Sequence, residues 1–254
     1  MDQPQVAAAQ FGNAANDYVT SPIHANGPDL SKLREEIGAR PDAIVLDIGC
    51  GAGHASYAIA PQVSEVHAYD VAAPMVETVA RIASERGLHN IHTLQGPAES
   101  LPYANGSFDY VVSRLSAHHW RDVPNALSEV RRVLKSDGRA IWIDAAGHAD
   151  PLLDTHLQAI ELLRDRSHVR DYTIVEWQSM FAAAGFAASI RATWRIEVEF
   201  RSWIARMRTP LECEAAIKHL WTHAPQEVRD YYALAADFSF ELDAFLLVAV
   251  GCGL

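Results

Sequence analysis

The stretch that decides the fold is Val45-Leu46-Asp47-Ile48-Gly49-Cys50-Gly51-Ala52-Gly53-His54. The apolar run from Ala43 to Ile48 predicts a strand buried on both faces of a parallel sheet. Three glycines at alternate positions, Gly49, Gly51 and Gly53, then predict a tight turn with little side-chain bulk. The residues after them can begin a helix. A strand, a glycine turn and a helix N-terminus together form a nucleotide-binding corner.

Two acidic residues indicate which nucleotide binds at this corner. Asp47 directly precedes the glycines, where a carboxylate would repel a diphosphate and attract an ammonium group. Asp70, with Val71 beside it, closes the next predicted strand roughly twenty residues on, the interval at which an acidic side chain binds ribose hydroxyls. S-adenosylmethionine (SAM) has an ammonium group and a ribose but no phosphate. The corner therefore predicts a SAM site.

The alternative is a nicotinamide-dependent dehydrogenase, and the sequence of the same corner argues against it. The dinucleotide fingerprint requires a third glycine three residues after the second, and His54 stands there instead. Asp47 would also repel the diphosphate bridge of that cofactor. Cys50 is interpreted as a small residue that fits the turn.

Several motifs resemble those of a known family. Residues 47–53 resemble motif I of class I SAM-dependent methyltransferases. The segments 96–102, 108–113, 129–135 and 137–139 resemble the C-methyltransferases of ubiquinone and menaquinone biosynthesis, so the similarity covers about residues 43–145. The resemblance implies SAM as cofactor, with Ala98 and Glu99 beside the adenine. Where the family often has Asp, this chain has Pro97, so the adenine needs another partner, either Glu99 or a backbone carbonyl.

Strand and helix patterns alternate from Ala43 onward, which predicts an α/β fold with a doubly wound sheet. The family resemblance implies seven strands, mostly parallel with one antiparallel, in a Rossmann-like methyltransferase fold. We expect a single domain over residues 1–254. Its parts are an N-terminal lid and helix (1–40), a SAM-binding core (41–150), two helical cap insertions (151–172 and 201–236) and a terminal strand (237–254).

The N-terminal segment precedes the nucleotide-binding strand and is expected to cross the ligand crevice as a lid. Residues 1–10 carry no clear pattern and are interpreted as loose, whereas residues 28–37 predict a helix. The resemblance implies that an aromatic residue near Tyr18 covers the cofactor, so Tyr18 and His24 are candidate cofactor contacts. The alternative is that both belong to an ordinary surface segment.

Composition limits the classes of partner. With 21 basic and 32 acidic residues the net charge is −11, and no run of Lys or Arg appears, which argues against nucleic acid. Three scattered cysteines form no CxxC pair and no disulfide framework. No third ligand stands at a recognisable spacing from His118 and His119, so no metal is expected. No signal peptide or membrane span is recognisable, and the prediction is a cytoplasmic protein acting on a small molecule. The sequence leaves a homo-oligomer open.

The loop after the fourth strand, residues 113–120, should face the methionine part of SAM and the acceptor, because ligands bind outside the carboxyl ends of such strands. Ser113 and Arg114 are therefore candidate cofactor contacts. His118 and His119 are candidate bases for removing the acceptor's proton, with His168 behind them. Adjacent histidines point in different directions, so one of them could simply pack under the sheet edge.

Two features of the insertions have alternative interpretations. The polar segment 164–170 could line a substrate mouth or form a solvated helix end. Trp177, Trp203 and Trp221 could wall a planar or aromatic acceptor or form the core of the cap, and core is the default. The resulting hypothesis is methyl transfer from SAM to a small molecule. The rival is a SAM-binding protein without transferase activity, because binding and chemistry depend on separable residues.

Overall fold

The computed structural model describes residues 1–19, 25 and 27–252. Within this part of the chain seven strands form one sheet in the order β3-β2-β1-β4-β5-β7-β6. Only β7 runs antiparallel, to β5 on one side and β6 on the other. The doubly wound, mostly parallel sheet predicted from the sequence is thus confirmed. The strands are β1 Arg40–Ile48, β2 Val63–Asp70, β3 Ile91–Gln95, β4 Phe108–Arg114, β5 Leu134–Ala145, β6 Phe186–Val198 and β7 Phe240–Gly251.

Helices cover both faces of the sheet and build the cap. Thr173 and Glu176 form a capping box at the start of α7, with hydrogen bonds of 3.1 and 2.8 Å. The helices are α1 Gln3–Val19, α2 Pro28–Ile37, α3 His54–Ile59, α4 Ala73–Glu85, α5 Val123–Val133, α6 Pro151–Arg164, α7 Ile174–Ala183, α8 Phe200–Met207, α9 Leu211–His223 and α10 Gln226–Tyr231. Short 3₁₀ turns span Ala60–Gln62 and Ala117–His119.

The interpretation of residues 1–10 as loose is wrong, because α1 begins at Gln3. Ala7, Phe11 and Tyr18 are spaced to fall on one helical face. Phe11 and Tyr18 pack against Ala72 and Met75 near the start of α4. Tertiary packing therefore orders a segment whose own sequence pattern is weak. The predicted contact His24 lies outside the described residues.

Gly138 follows the apolar stripe of α5 in the sequence and predicts the end of the helix at that glycine, but the structure differs. The helix ends at Val133 and β5 begins at Leu134, so Gly138 lies within the strand. A Cβ atom at Gly138 would lie 3.1 Å from the carbonyl oxygen of Asp109. This glycine therefore permits close approach of β5 to the start of β4, and it does not stop the helix.

The tryptophans of the insertions belong to apolar cores. Trp203 and Trp221 are buried in the cap core with Leu157 and Phe240. Trp177 is buried in the main sheet core and packs on Trp142, so it was wrongly assigned to the cap. No helix in the described part of the chain combines the length and apolar character required to cross a membrane.

Candidate functional site

A cleft opens at the carboxyl ends of β1, β2 and β4; the space between its walls, counted together with open solvent at its mouth, is about 950 Å³. This is the edge at which a doubly wound sheet binds its ligand. The glycine turn forms its floor, and α1 passes over it. The predicted contacts that line it are Tyr18, Asp47, Gly49, Cys50, Gly51, Asp70, Val71, Ala98, Glu99, Arg114 and His119.

The glycine turn brings bare backbone to the cleft. Gly49 has a φ of +67°, and a Cβ atom there would lie 1.9 Å from Ser116 Oγ. The amides of Gly49 and Cys50 donate to the carbonyl oxygen of Tyr69 at 2.7 and 3.1 Å, which ties the turn to β2. Gly53 does not line the cleft; its φ is +86°, and a Cβ atom would meet the ring of Tyr57 at 2.7 Å. It serves the packing of α3, whereas Gly49 keeps the floor open.

Asp47 has one carboxylate oxygen without a partner. The side chain is 1% exposed, and Oδ2 accepts a hydrogen bond of 2.6 Å from Ser56 Oγ. Oδ1 has no hydrogen-bond partner among the described residues. Burial raises the pKa of Asp47 to about 6. A buried carboxylate with a free oxygen beside a cleft fits a cationic ligand group, such as the ammonium of SAM.

Asp70 lies at the neighbouring strand end and braces the turn. Its Oδ2 accepts from the amide of Gly51 and its Oδ1 from the amide of Ala72, both at 2.9 Å. Burial raises the pKa of this carboxyl, although the backbone amides oppose the change. Each oxygen retains a second lone pair. Asp70 can therefore hold the turn and still accept hydrogen bonds from two vicinal hydroxyls.

The far end of the cleft is formed by Gly96, Pro97, Ala98 and Glu99. Glu99 Oε1 accepts from the amides of Arg121 and Asp122 at 3.1 and 3.3 Å. Its carboxylate thus joins this wall to the start of α5. A ring nitrogen donor at this end could reach the remaining carboxylate oxygen or a backbone carbonyl, the two alternatives that the sequence leaves open.

The N-terminal helix α1 borders the cleft and contributes residues to its lining. Phe11 and Tyr18 meet edge to face, with ring centroids 5.6 Å apart. The carbonyl oxygen of Tyr18 lies 3.0 Å from His54 Nε2, and the Tyr18 hydroxyl donates to Met207 Sδ at 3.2 Å. These contacts tie the end of α1 to the glycine turn on one side and to α8 on the other.

The two candidates at the end of β4 have different environments. Arg114 lines the cleft and forms a buried ion pair with Asp29 in the first turn of α2. Arg114 therefore joins the end of β4 to α2. Ser113 is buried and does not line the cleft; its hydroxyl has no partner among the described residues.

The rings of the three candidate histidines lie close together, with centroids 4.1 to 6.4 Å apart, but their surroundings differ. His119 lines the cleft, and the edge of the Phe11 ring lies against it with centroids 4.7 Å apart. Burial, together with the nearby charge of His118, lowers the pKa of His119, so its ring is neutral at pH 7. His118 and His168 do not line the cleft. His168 is buried behind it with Nε2 2.9 Å from Gln158 Oε1, and burial lowers its pKa to about 2.

His118 forms an ion pair beneath the cleft. Its Nδ1 lies 2.6 Å from Asp144 Oδ1 at the carboxyl end of β5. Burial alone would lower the pKa of His118, but the Asp144 carboxylate outweighs burial and raises it to about 9. Its carbonyl oxygen also accepts from the amides of Val169 and Arg170. His118 thus holds the segment between α6 and α7 against the end of the sheet.

We expect His118→Gln to destabilise the protein in a pH-dependent way. The folded-state pKa of about 9 lies above the ordinary value of 6.5, so the ion pair contributes fully below pH 6.5 and its contribution is lost as the pH rises through 9. The expected loss at pH 6.5 is roughly 3 kcal/mol. Urea unfolding of both proteins at pH 6.5 and pH 9.5 measures it. An equal difference at the two pH values would contradict this role for the pair.

The polar segment 164–170 does not line the cleft, and it is only partly solvated, because Arg166 and Val169 are exposed while other members are buried. Asp165, Ser167 and His168 are buried behind His119, and none lines the cleft. Gln3, Pro4 and Ala7 of α1 also line the cleft and were missed because residues 1–10 were interpreted as loose; Phe11, the next residue, was missed as well. The spacing of Ala7, Phe11 and Tyr18 on one helical face is the signal that could have found them.

Comparison with known proteins finds a matching domain family and relatives that are similar over most of their length. A family model described as a methyltransferase domain matches residues 46–142. The uncharacterized methyltransferase YcgJ of Bacillus subtilis is 38% identical over 240 residues, covering 94% of this chain and 95% of its own. Its crystal structure superimposes with a TM-score of 0.85 over 89% of this chain and 98% of that one.

Two further relatives extend the similarity. The uncharacterized protein YafE of Escherichia coli is 45% identical over 79% of this chain and 97% of its own length. The demethylmenaquinone methyltransferase of Lactococcus lactis is 30% identical over 60% of this chain and 62% of its own. The second relative confirms the resemblance to quinone-biosynthesis enzymes. Because the similarity to YcgJ extends over nearly the whole chain and includes the cofactor motif, the protein belongs to the class I SAM-dependent methyltransferases.

Proposed function

We propose that the protein transfers the methyl group of SAM to a small-molecule acceptor that enters the cleft beneath α1, with His119 as the base. The observation that carries the proposal is the unpartnered Oδ1 of Asp47, buried at the edge of the cleft. It supports an ammonium-bearing cofactor at the glycine turn. His119 is the one of the three candidate histidines whose side chain lines the same cleft.

We assign each part of SAM to residues that line the cleft. Asp47 would bind the α-amino group, Asp70 the ribose hydroxyls, and the wall from Gly96 to Glu99 the adenine. Arg114, beside Asp47 at the cleft, would face the amino-acid end. Gly49 permits the cofactor to lie against the backbone. When bound, SAM supplies an electrophilic methyl group, and the protein's task is to align the acceptor and remove its proton.

The side of the cleft nearest His119 supports a planar, largely apolar acceptor. Pro4, Ala7 and Phe11 of α1 form one wall, and Leu115 and Trp120 lie on the loop after β4. Such a surface buries a ring well. A phenol, an enolisable carbon acid and an amine all have a proton for His119 to accept. The net charge of −11 and the helix over the cleft disfavour a nucleic-acid acceptor.

A direct assay tests the proposal. The protein is incubated with SAM in a set of separate reactions. Each reaction contains one class of acceptor: phenols, enolisable 1,3-dicarbonyl compounds, amines or carboxylic acids. Mass spectrometry then follows both S-adenosylhomocysteine (SAH) and an acceptor that has gained one methylene unit. We expect one class to give both products in equal amounts. If SAH binds and no class gives product above the protein-free control, the acceptor side of the proposal is wrong, and the rival of a SAM-binding protein without transferase activity gains support.

A further inference from the structure

Behind His119 lies a buried polar group that packing alone does not explain. Asp165 is 1% exposed and Ser167 is fully buried, in the connection between α6 and α7. Asp165 Oδ2 has no hydrogen-bond partner among the described residues. A carboxylate removed from water with an unsatisfied oxygen is destabilising, so its presence beside a candidate base points to a role in the site.

The hydrogen bonds of this group determine which nitrogen of His119 carries a proton. Asp165 Oδ1 accepts from the Ser167 amide at 2.8 Å and from Ser167 Oγ at 2.6 Å. The Ser167 hydroxyl has a single proton, and it donates that proton to Asp165 Oδ1. Ser167 Oγ lies 3.4 Å from His119 Nδ1, so toward His119 it can only accept. The geometry therefore assigns the N–H of the neutral imidazole to Nδ1 and leaves Nε2 with a lone pair.

The unpartnered oxygen of Asp165 lies near the other nitrogen. Asp165 Oδ2 is 4.0 Å from His119 Nε2. This distance is too long for a hydrogen bond, so Oδ2 has no partner while the imidazole is neutral. Once Nε2 gains a proton, the ring becomes a cation and the buried carboxylate attracts it. A small movement of the ring would then complete the hydrogen bond.

The other groups around His119 either disfavour its protonation or hold its ring in place. The His118 ring, whose centroid is 4.1 Å away, is paired with Asp144 and repels a second positive charge. The centroid of the His168 ring lies 6.4 Å from that of His119. From α1, Gln3 Nε2 donates to the carbonyl oxygen of Ser167 at 2.6 Å. His119 is thus kept neutral at rest, and Asp165 is the carboxylate nearest to its Nε2.

We propose that Asp165 and Ser167 are positioning residues, which hold His119 as the Nδ1–H tautomer and stabilise its cation after it has taken the acceptor's proton. The inference rests on the proposed role of His119 as base. In the balanced step the acceptor atom bonds to the methyl carbon and its proton passes to Nε2. The electron pair of the methyl–sulfur bond stays on sulfur, and the proton later leaves His119 for water.

Nitrogen-15 NMR of the full-length protein labelled in histidine tests the tautomer without any acceptor. In the wild type we expect the His119 proton on Nδ1. Because the Ser167 backbone also hydrogen-bonds to His119, Ser167→Ala should weaken the preference and shift both ring nitrogens. Ser167→Thr should retain it, and Ser179→Ala, an exposed serine on α7, should change nothing. An Nε2–H tautomer in the wild type, or an unchanged tautomer in Ser167→Ala, would overturn the proposal.

A kinetic measurement tests the second part once an acceptor is known. Asp165→Asn and Ser167→Ala should lower kcat at least tenfold with little change in KM for SAM, and Ser167→Thr should restore most of kcat. A variant that raises KM at unchanged kcat would show only a structural role and would contradict the proposal. The NMR result does not depend on turnover, so failure of the methyl-transfer assay and failure of this inference are distinguishable.

Discussion

Asp47→Asn is expected to weaken binding of SAH roughly 10- to 150-fold, because it removes a hydrogen bond between charged groups that contributes about 1.5–3 kcal/mol. Asparagine keeps the shape of the side chain and can still accept from Ser56 Oγ, so the floor of the cleft should be preserved. Isothermal titration of wild type and variant with SAH measures the change. A dissociation constant within threefold of the wild-type value would contradict the proposal that Asp47 binds the ammonium group of the ligand.

The same variant should be more stable than the wild type without ligand. The folded-state pKa of Asp47 is raised from 3.8 to about 6, so the wild type is most favoured below pH 3.8 and loses stability as the pH rises through 6. Asparagine avoids that loss, with an expected gain of up to about 3 kcal/mol at pH 7. Urea unfolding at pH 7 measures the gain. A less stable variant would contradict the account of Asp47 as a desolvated, functional charge.

Affinity should also depend on pH in the wild type alone. A ligand ammonium selects the ionised carboxylate, so a group with pKa about 6 must lose its proton when the ligand binds. Binding of SAH should therefore be roughly tenfold weaker at pH 5 than at pH 7. Asp47→Asn should show no such dependence, which separates Asp47 from the other titratable groups of the cleft.

His119→Gln is expected to lower kcat by about 10²–10⁴, the range that a positioned proton acceptor contributes. The dissociation constant for SAH should stay within threefold, because the contacts proposed for the cofactor are made by other residues. The matched control is His223→Gln, an exposed histidine at the end of α9, which should keep full activity. The measurement is steady-state kinetics with the acceptor found by the product assay.

A small effect of His119→Gln would also be informative. If kcat falls less than threefold, alignment of acceptor and methyl group supplies the rate by itself, and His119 serves only as part of the wall. That result would contradict the proposed base and, with it, the positioning role of Asp165 and Ser167.

The sheet and the glycine corner could be predicted because their signals are local. A buried strand, a turn that needs glycine and an acid at each of two strand ends all lie within about thirty residues of sequence, and parallel strand ends must share an edge. This is why Asp47 and Asp70 were found without the structure. The structure adds the hydrogen-bond partners: one oxygen of Asp47 is unpartnered, whereas both oxygens of Asp70 hold backbone amides.

The parts that could not be predicted depend on contacts distant in sequence. Helix α1 is ordered by α4 and α8, and its own pattern gives little indication of this packing. His118 and His119 are adjacent, and only the packing of their 3₁₀ turn decides that His119 reaches the cleft while His118 pairs with Asp144. Asp165 and Ser167 are recognisable as part of the site only from their distances to His119.

The most direct measurement is the distance between Asp47 Oδ1 and the α-amino nitrogen of SAH in a crystal structure of the complex. The account predicts a charge-assisted hydrogen bond of about 2.7–3.0 Å, with the ribose hydroxyls on Asp70 and the adenine against Ala98. SAH bound elsewhere, or bound in the cleft with its amino group away from Asp47, would contradict the assignment of this cleft.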